Sequence, residues 1–536
     1  MNYGFVIDNR MCIGCHACTV ACKSEHDIPI GVNRTHVKYI EKGVFPKSKR
    51  EFSVHRCNHC ADAPCVEICP TTALYSRSDG IVDFDNERCI GCKSCMQACP
   101  YDALYIDPDT NTAAKCNYCA HRLDGGYEPA CVIVCPVEAI VSGDLNDSKS
   151  KISQLVSNEQ VSVRKPEKMT VPNLYYIDGT NEMLDPNATK TELNYVWTDQ
   201  AKGVGHYAKF ANERVSESNT DNLLIQLAME NSFKSGESID QRAIDNVAKE
   251  IQKETDYNNN RRVYDSPSKG VLWGWEVPAY VWTKAIATGT FLSMMISHYF
   301  HRNLEQSAQL YGLLTSLIFM IVTGVLLIMD LDRPDRFLYV LFRPQWKSWL
   351  VRGAYIITGF GSLITLKLLL VFYNFQNMLL LDFLTSVFAI LGASYTAFLF
   401  AQARARDLWQ NPYTNALHMV IHALLAGSTM ILYLIKGSPN FMINIVPTLV
   451  CLNLIFIVKE IFFHHNTHDT KRSVNLILHG YYSKYFFTGI TLGNIIPIAI
   501  ILLDPSSLII ASAFATIGIF FTEFVRIRVP QLIALS

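Results

Sequence analysis

Cys89-Ile-Gly-Cys92-Lys-Ser-Cys95-Met-Gln-Ala-Cys99-Pro100 is the stretch on which the fold turns. Its four cysteines are separated by two, two and three residues, and a proline closes the run. The same spacing opens the chain in Cys12-Ile-Gly-Cys15-His-Ala-Cys18-Thr-Val-Ala-Cys22. Two further groups lengthen the gap before the third cysteine: Cys57, Cys60, Cys65 and Cys69-Pro70, then Cys116, Cys119, Cys131 and Cys135-Pro136. Sixteen of the seventeen cysteines lie between residues 12 and 135.

This is the spacing of bacterial [4Fe–4S] sites. Three thiolates on one tight loop reach three irons of a cubane. The fourth, past a turn stopped by proline, points toward a different cluster. Four such groups predict four [4Fe–4S] clusters, with fourth ligands exchanged between paired groups. Disulfides need an oxidising compartment and an export signal; Met1–Arg10 has neither an apolar core nor twin arginines. Zinc sites use isolated Cys pairs, whereas here a third cysteine completes each group. Cys12-x-x-Cys15-His16 matches a haem-attachment motif, but it sits inside a complete four-cysteine group.

Short apolar runs, Ile81–Phe84 and Ala103–Ile106, read as small strands flanking the cluster loops. Pro-Thr-Thr-Ala-Leu (70–74), Pro-Tyr-Asp-Ala-Leu (100–104) and Pro-Val-Glu-Ala-Ile (136–140) repeat after three of the groups. Residues 1–145 therefore read as an internally duplicated α+β ferredoxin-like iron–sulfur domain.

The whole chain has 536 residues, 49% apolar and 18% charged, with net charge -1. The charged share is low against roughly 25% for soluble domains. A disordered chain and a single soluble domain are excluded, and the charge gives no reason to expect nucleic acid. Residues 146–268 are polar. Within them 220–255 has helix-like periodicity, Asn258-Asn259-Asn260 signals a loop, and Arg261-Arg262 is a basic flank. No phosphate loop, catalytic triad or dinucleotide fingerprint is present there, so this part reads as a clamp and linker.

Apolar stretches of spanning length follow at 277–299, 308–330, 350–373, 379–402, 413–435, 441–463, 485–503 and 507–525. Residues 269–536 thus read as an all-α transmembrane bundle of eight spans, with both flanks on one side. Loops on the iron–sulfur side carry Arg333, Arg336, Arg343, Lys347, Arg352, Arg404, Arg406, Lys471, Arg472, Lys484, Arg526 and Arg528; the other side has Arg302 and Lys436. The positive-inside rule predicts a multi-pass inner-membrane protein with the iron–sulfur domain on the cytoplasmic face.

Ionisable residues in spans suggest function. Lys284, about 10 Å into the first span at ~1.5 Å per residue, and Asp330, Arg333 and Arg336 after the second all lie toward the cluster-bearing side. They are candidates for a quinone site, since quinone reduction needs protons close to the terminal cluster. Lys284 has snorkelling to the interface as its rival reading. Lys367 and Lys459-Glu460, near span ends, read as snorkelling. His464-His465-Asn-Thr-His468 reads as an interfacial turn. His418 and His422 share a helix face at i, i+4, but no matching His pair for a haem is evident.

Residues 1–145 resemble the four-cluster electron-transfer subunit of membrane-bound molybdopterin oxidoreductases, the type seen with polysulfide and dimethyl sulfoxide reductases. Residues 270–536 resemble the NrfD/PsrC-type quinone-interacting membrane subunit, which has eight spans. Asp330-Leu-Asp332-Arg333-Pro334 matches that family's Asp-Leu-Gly-Arg-Pro segment, with Asp332 in place of the glycine. The two parts are normally separate chains, so this chain resembles a fusion.

In the resembled family the first and fourth cysteine groups pair, as do the second and third. The implied ligand sets are Cys12/Cys15/Cys18/Cys135, Cys22/Cys116/Cys119/Cys131, Cys57/Cys60/Cys65/Cys99 and Cys69/Cys89/Cys92/Cys95. The resemblance further implies exchange of quinone or quinol. It also implies a separate molybdopterin-type catalytic subunit, with a hydrogenase or multihaem cytochrome as runner-up. Many relatives face the periplasm; the charge count and the fusion favour the cytoplasm. Two alternatives remain: a membrane-anchored ferredoxin relay without a quinone site, and a redox-driven ion-translocating subunit.

Overall fold

The structure is a computed structural model that describes residues 1–43, 48–191, 260–265, 269–301, 305–375, 378–434, 442–462 and 467–536. The helix expected within 220–255 lies outside the described residues, as do Asn258, Asn259, Arg302, Lys436, His464 and His465.

The N-terminal strand Tyr3–Asp8 sits at the centre of the first sheet, between Ile140–Asp144 and Leu174–Ile177, with Val161–Ser162 at the edge. Side chains alternate across a strand, and both faces of this one are covered. Phe5 and Ile7 pack with Val37, Val54 and Tyr176, while Val6 packs with Val141, Ile152 and Ile177. Leu174–Ile177 runs parallel to the first strand, Leu174 opposite Phe5. The boundary expected at 145 therefore falls inside one sheet: four apolar residues within a polar stretch complete the domain.

In the second sheet Thr35–Lys42 pairs with Lys49–Arg56, from Thr35 opposite Arg56 to Lys42 opposite Lys49. Arg261–Tyr264, just before the membrane region, pairs with Thr35–Lys42 on its other side, and Lys190–Thr191 forms the edge beyond it. Asp265 anchors that segment through Lys38 at 2.7 Å and Arg262 at 3.0 Å. Burial pushes the Asp265 carboxyl up, but the two cations outweigh it and hold it at about 2. The expected short strands are present as hairpins, Leu74–Ser76 with Val82–Phe84 and Leu104–Asp107 with Thr112–Lys115.

The C-terminal part is helical: α1 (Glu276–His301), α2 (Gln306–Met329), α3 (Trp349–Phe372), α4 (Leu379–Gln402), α5 (Pro412–Leu434), α6 (Met442–Phe462), α7 (His468–His479), α8 (Ser483–Leu503) and α9 (Leu508–Arg528). Among the described residues seven helices, α2 to α6 with α8 and α9, are long and apolar enough to cross a membrane. The remaining expected span forms α1, which packs against α2, α4, α5 and α9. It is less apolar because it buries Lys284, Thr283, Thr288, Thr290 and Ser293. Its place among four helices keeps those groups from the bundle surface. The amphipathic α7, its charged residues Asp469, Lys471 and Arg472 in the first turns, has no counterpart among the expected spans.

Glycines let helices meet closely. A Cβ on Gly289 would stand 1.7 Å from the Ala423 carbonyl oxygen, so α1 and α5 are in backbone contact there.

The iron–sulfur domain rests on one end of this bundle. Arg404 reaches Asp62 at 2.7 Å and Glu67 at 3.1 Å. Arg406 donates to Gln97 at 2.8 Å, and Arg472 to the Asn187 carbonyl at 3.1 Å. Gln531, just past α9, accepts from the backbone N–H groups of Leu272 and Trp273, which lead into α1, and from the Gln97 side chain. First and last helices therefore close together on the cluster domain.

Candidate functional site

The cluster loops share one backbone device. In Cys12-Ile-Gly14-Cys15-His16 the glycine has φ 69° and His16 φ 60°; in Cys89-Ile-Gly91-Cys92-Lys93 the values are 68° and 59°. Left-handed residues placed this way curl the chain around a concavity lined by N–H groups, a setting for an anion. Short helices follow, Ala17–Glu25 and Ser94–Ala98, each carrying the next cysteine inward. Ala113 N–H donates to Cys89 Sγ at 3.3 Å.

The fold gathers cysteines that are distant in sequence. Cys12 is within electrostatic reach of Cys15 and Cys135, and Cys18 of Cys12. Cys22 is near Cys116, Cys119 and Cys131. Cys65 is near Cys57, Cys60 and Cys99; Cys95 is near Cys69, Cys89 and Cys92. Three electrostatic couplings link these neighbourhoods in a row: Cys18 with Cys131, Cys116 with Cys57, and Cys95 with Cys65. At one end Cys15 is exposed, with Met11, Ile13, Val20, Ile133 and Val134 exposed around the same loops. At the other end the Cys89–Cys92 loop faces the membrane helices.

Buried polar atoms test whether clusters fit. Arg56 is 2% exposed, yet only Nη1 has a partner, Cys131 Sγ at 2.9 Å. Its Nε and Nη2 are buried without a protein acceptor, as are the Asn58 amide, His59 Nε2 and Ser94 Oγ beside other cysteines. A buried guanidinium and free donors next to thiols suit a core that carries negative charge and sulfide acceptors. A cluster bound there supplies one-electron storage and transfer. Among the described residues no three His, Cys, Asp or Glu side chains converge on a single-ion site; thiolates spread over the corners of a larger core do not need to.

The segment after α2 lies on the inner loop. Asp332 N–H donates to the Gly91 carbonyl and Arg333 N–H to the Ile90 carbonyl, both at 3.3 Å. Lys93 pairs with the Asp332 carboxylate at 3.0 Å and donates to the Asp330 carbonyl at 3.1 Å. A Cβ on Gly91 would be 2.7 Å from Asp332 Cβ, so glycine is required for this approach. Trp273 Nε1–H donates to the Cys92 carbonyl at 3.3 Å and its ring stacks on Trp409 at 5.6 Å.

The four quinone-site candidates divide. Arg333 donates to the Thr110 carbonyl at 3.2 Å, and Arg336 to the carbonyls of Asn86 at 2.7 Å and Cys89 at 3.2 Å. Their guanidinium groups hold the iron–sulfur domain instead of facing the bundle interior. Lys284 is 1% exposed. It donates to Thr396 Oγ1 and stands 4.3 Å from the Tyr395 ring centroid, so it does not snorkel. Tyr280, one turn earlier, is buried within electrostatic reach of Tyr395, Asp330 and Glu523.

Sequence reasoning missed Tyr280, Tyr395 and Glu523. Glu523 carried a usable signal, being a carboxylate inside an expected span. Lys367 does not snorkel either: it is buried against Asp382 of the next helix. Glu460 accepts from Arg526 at 2.9 Å. The His418 and His422 rings both address Asn453 Oδ1 at 2.9 Å, which occupies their Nε2 atoms.

A cysteine-ligand row docked end-on to a bundle of apolar helices defines an iron–sulfur electron-transfer unit fused to a multi-pass membrane unit. The protein belongs to the polysulphide reductase NrfD family, whose description matches residues 265–534; residues 48–145 match a 4Fe–4S dicluster domain. The N-terminal part is 43% identical over 178 residues to a polysulfide reductase chain of Wolinella succinogenes, covering 33% of this chain and 93% of that one. It is 41% identical over 188 residues to a tetrathionate reductase subunit of Salmonella typhimurium, covering 34% and 75%. It is 42% identical over 180 residues to protein NrfC of Escherichia coli, covering 33% and 81%.

Proposed function

We propose that the chain carries electrons through four [4Fe–4S] clusters between a separate catalytic subunit and the membrane quinone pool. The ligand sets are Cys12/Cys15/Cys18/Cys135, Cys22/Cys116/Cys119/Cys131, Cys57/Cys60/Cys65/Cys99 and Cys69/Cys89/Cys92/Cys95. The observation that carries this reading is the row of cysteine neighbourhoods, from exposed Cys15 to the Gly91 loop clamped by Asp332. The exposed end, ringed by apolar side chains, suits docking of a redox partner. Relatives named as reductase subunits support a separate catalytic reductase subunit in that place; that it is of the molybdopterin type is what the family resemblance implies.

The quinone headgroup is assigned to the inner end, beside Lys284, Tyr280 and Asp330. Lys284 and Tyr280 are buried polar groups with few partners, in the helix that starts beneath the Cys92 loop. All eight helices, α1 included, cross the membrane in this reading. The cluster-bearing face is cytoplasmic. Arg333, Arg336, Arg404, Arg406 and Arg472 are engaged in docking, yet Arg343, Lys347, Arg352, Lys471 and Lys484 remain exposed on that side.

The test is anaerobic reoxidation of the chemically reduced protein with a soluble quinone. Reoxidation that slows in Lys284→Met, with cluster spectra intact, supports the reading. A chain that ferricyanide oxidises and quinone does not is an anchored relay only.

A further inference from the structure

The bundle holds a line of buried polar groups that leads toward Lys284. His418 and His422 lie one turn apart on α5, with ring centroids 4.1 Å apart. Their Nε2 atoms each stand 2.9 Å from Oδ1 of Asn453 on α6. Asn453 donates to Asn494 at 3.1 Å, in a π-type turn of α8. His422 Nδ1 stands 3.2 Å from Glu523 Oε1 on α9. All five side chains are buried. Placing them inside an apolar bundle is costly unless they serve a purpose.

The line has two ends. His418 lines a polar cleft of about 520 Å³ between the iron–sulfur domain and the bundle, with Lys168, Arg404, Lys459 and Glu460 among its walls. At the inner end Glu523 Oε2 is buried without a protein partner. Glu523 is also the charged residue within electrostatic reach of Lys284. Arg526, 3.2 Å from Glu523 and 2.9 Å from Glu460, ties this inner acid back to the cleft wall.

We propose that His418, Asn453, His422 and Glu523 form a proton relay from the cleft to the quinone headgroup near Lys284; this rests on the quinone site assigned above. The Asn453 amide makes the line switchable. With Oδ1 toward both rings, both Nε2 atoms carry hydrogen, and the contact between His422 Nδ1 and Glu523 then needs one further proton. With the Asn453 and Asn494 amides both turned over, the Asn453 NH2 donates to both rings, the Asn494 NH2 donates to Asn453 Oδ1, and His422 keeps a single hydrogen on Nδ1, aimed at Glu523. The two arrangements differ by one proton, held between His422 and Glu523.

Quinone, two electrons and two protons give quinol. The iron–sulfur clusters are the source of the electrons. The relay supplies the protons, each taken from cleft water at His418 and passed from Glu523 to a quinone oxygen. Quinol oxidation reverses the balance and returns two protons to the cleft.

The test uses the full chain with its clusters chemically reduced, mixed anaerobically with decylubiquinone in H2O and in D2O. In Glu523→Gln and in His418→Gln, reoxidation by quinone slows at least about tenfold and its solvent isotope effect grows. Reoxidation by ferricyanide, which takes up no proton, keeps its rate, and unchanged cluster EPR spectra show an intact fold. If Glu523→Gln loses its clusters, His418→Gln, at the cleft wall, decides alone. Wild-type rates and isotope effects in the variants overturn the relay and leave the quinone site standing. A wild-type chain that ferricyanide oxidises and decylubiquinone does not overturns both.

Discussion

Lys93 and Asp332 form a 3.0 Å ion pair that joins a cluster loop to the segment leaving a membrane helix. Lys93 directly follows Cys92, and Asp332 stands where the resembled Asp-Leu-Gly-Arg-Pro segment has glycine. Asp332 therefore places a carboxylate against the innermost cluster loop, where it pairs with the Lys93 ammonium.

Charge near a cluster sets its potential. In Asp332→Asn the Lys93 ammonium is left unbalanced, which favours the more negative, reduced cluster. The midpoint potential of one cluster rises, read by EPR-monitored redox titration. Lys93→Met shifts it the other way, and the double variant returns close to wild type. Equal shifts in all clusters, or none, contradict the placement.

Lys284→Met and Tyr280→Phe each slow quinone-linked reoxidation by about tenfold or more, because a group that positions or protonates the headgroup is lost. Arg333→Gln and Arg336→Gln act differently. They loosen the iron–sulfur domain, seen as faster hydrogen exchange around residues 86–91, and affect quinone kinetics less.

Arg406 is a buried guanidinium bonded to Gln97 and to the carbonyls of Pro530 and Ile533. Arg406→Met leaves those acceptors unpaired and costs about 2–3 kcal/mol. A lower thermal midpoint and earlier proteolysis between the two parts are the expected readings.

The cysteine groups were legible because the ligand spacing is local, and the spans because each is a continuous apolar run. What was hidden depends on long-range pairing. Leu174-Tyr-Tyr-Ile177 is too short to stand out, and it becomes a strand only beside Phe5. Arg333 and Arg336 were legible as charges near a span end, but not as docking groups, since their acceptors are backbone carbonyls more than 200 positions away. Lys367 reads as snorkelling until α3 and α4 bring Asp382 beside it. His418 and His422 show a shared face but not Asn453 or Glu523 on two other helices.

Asp265 fixes the strand that leads into the bundle. Its carboxyl is held at about 2 in the fold, against about 3.9 for a free aspartate. A depressed carboxylate stabilises fully above the free value, and its contribution is lost as pH falls from the free value through the folded one. Lowering the pH from about 6.5 to about 5 therefore does not narrow the thermal midpoint gap between wild type and Asp265→Asn. A gap that closes over that range contradicts the pairing with Lys38 and Arg262.

The most direct test is iron and acid-labile sulfide per chain after anaerobic purification with full cofactor loading. Four [4Fe–4S] clusters require about sixteen of each. About eight of each, or an iron-free chain, contradicts the four-cluster wire.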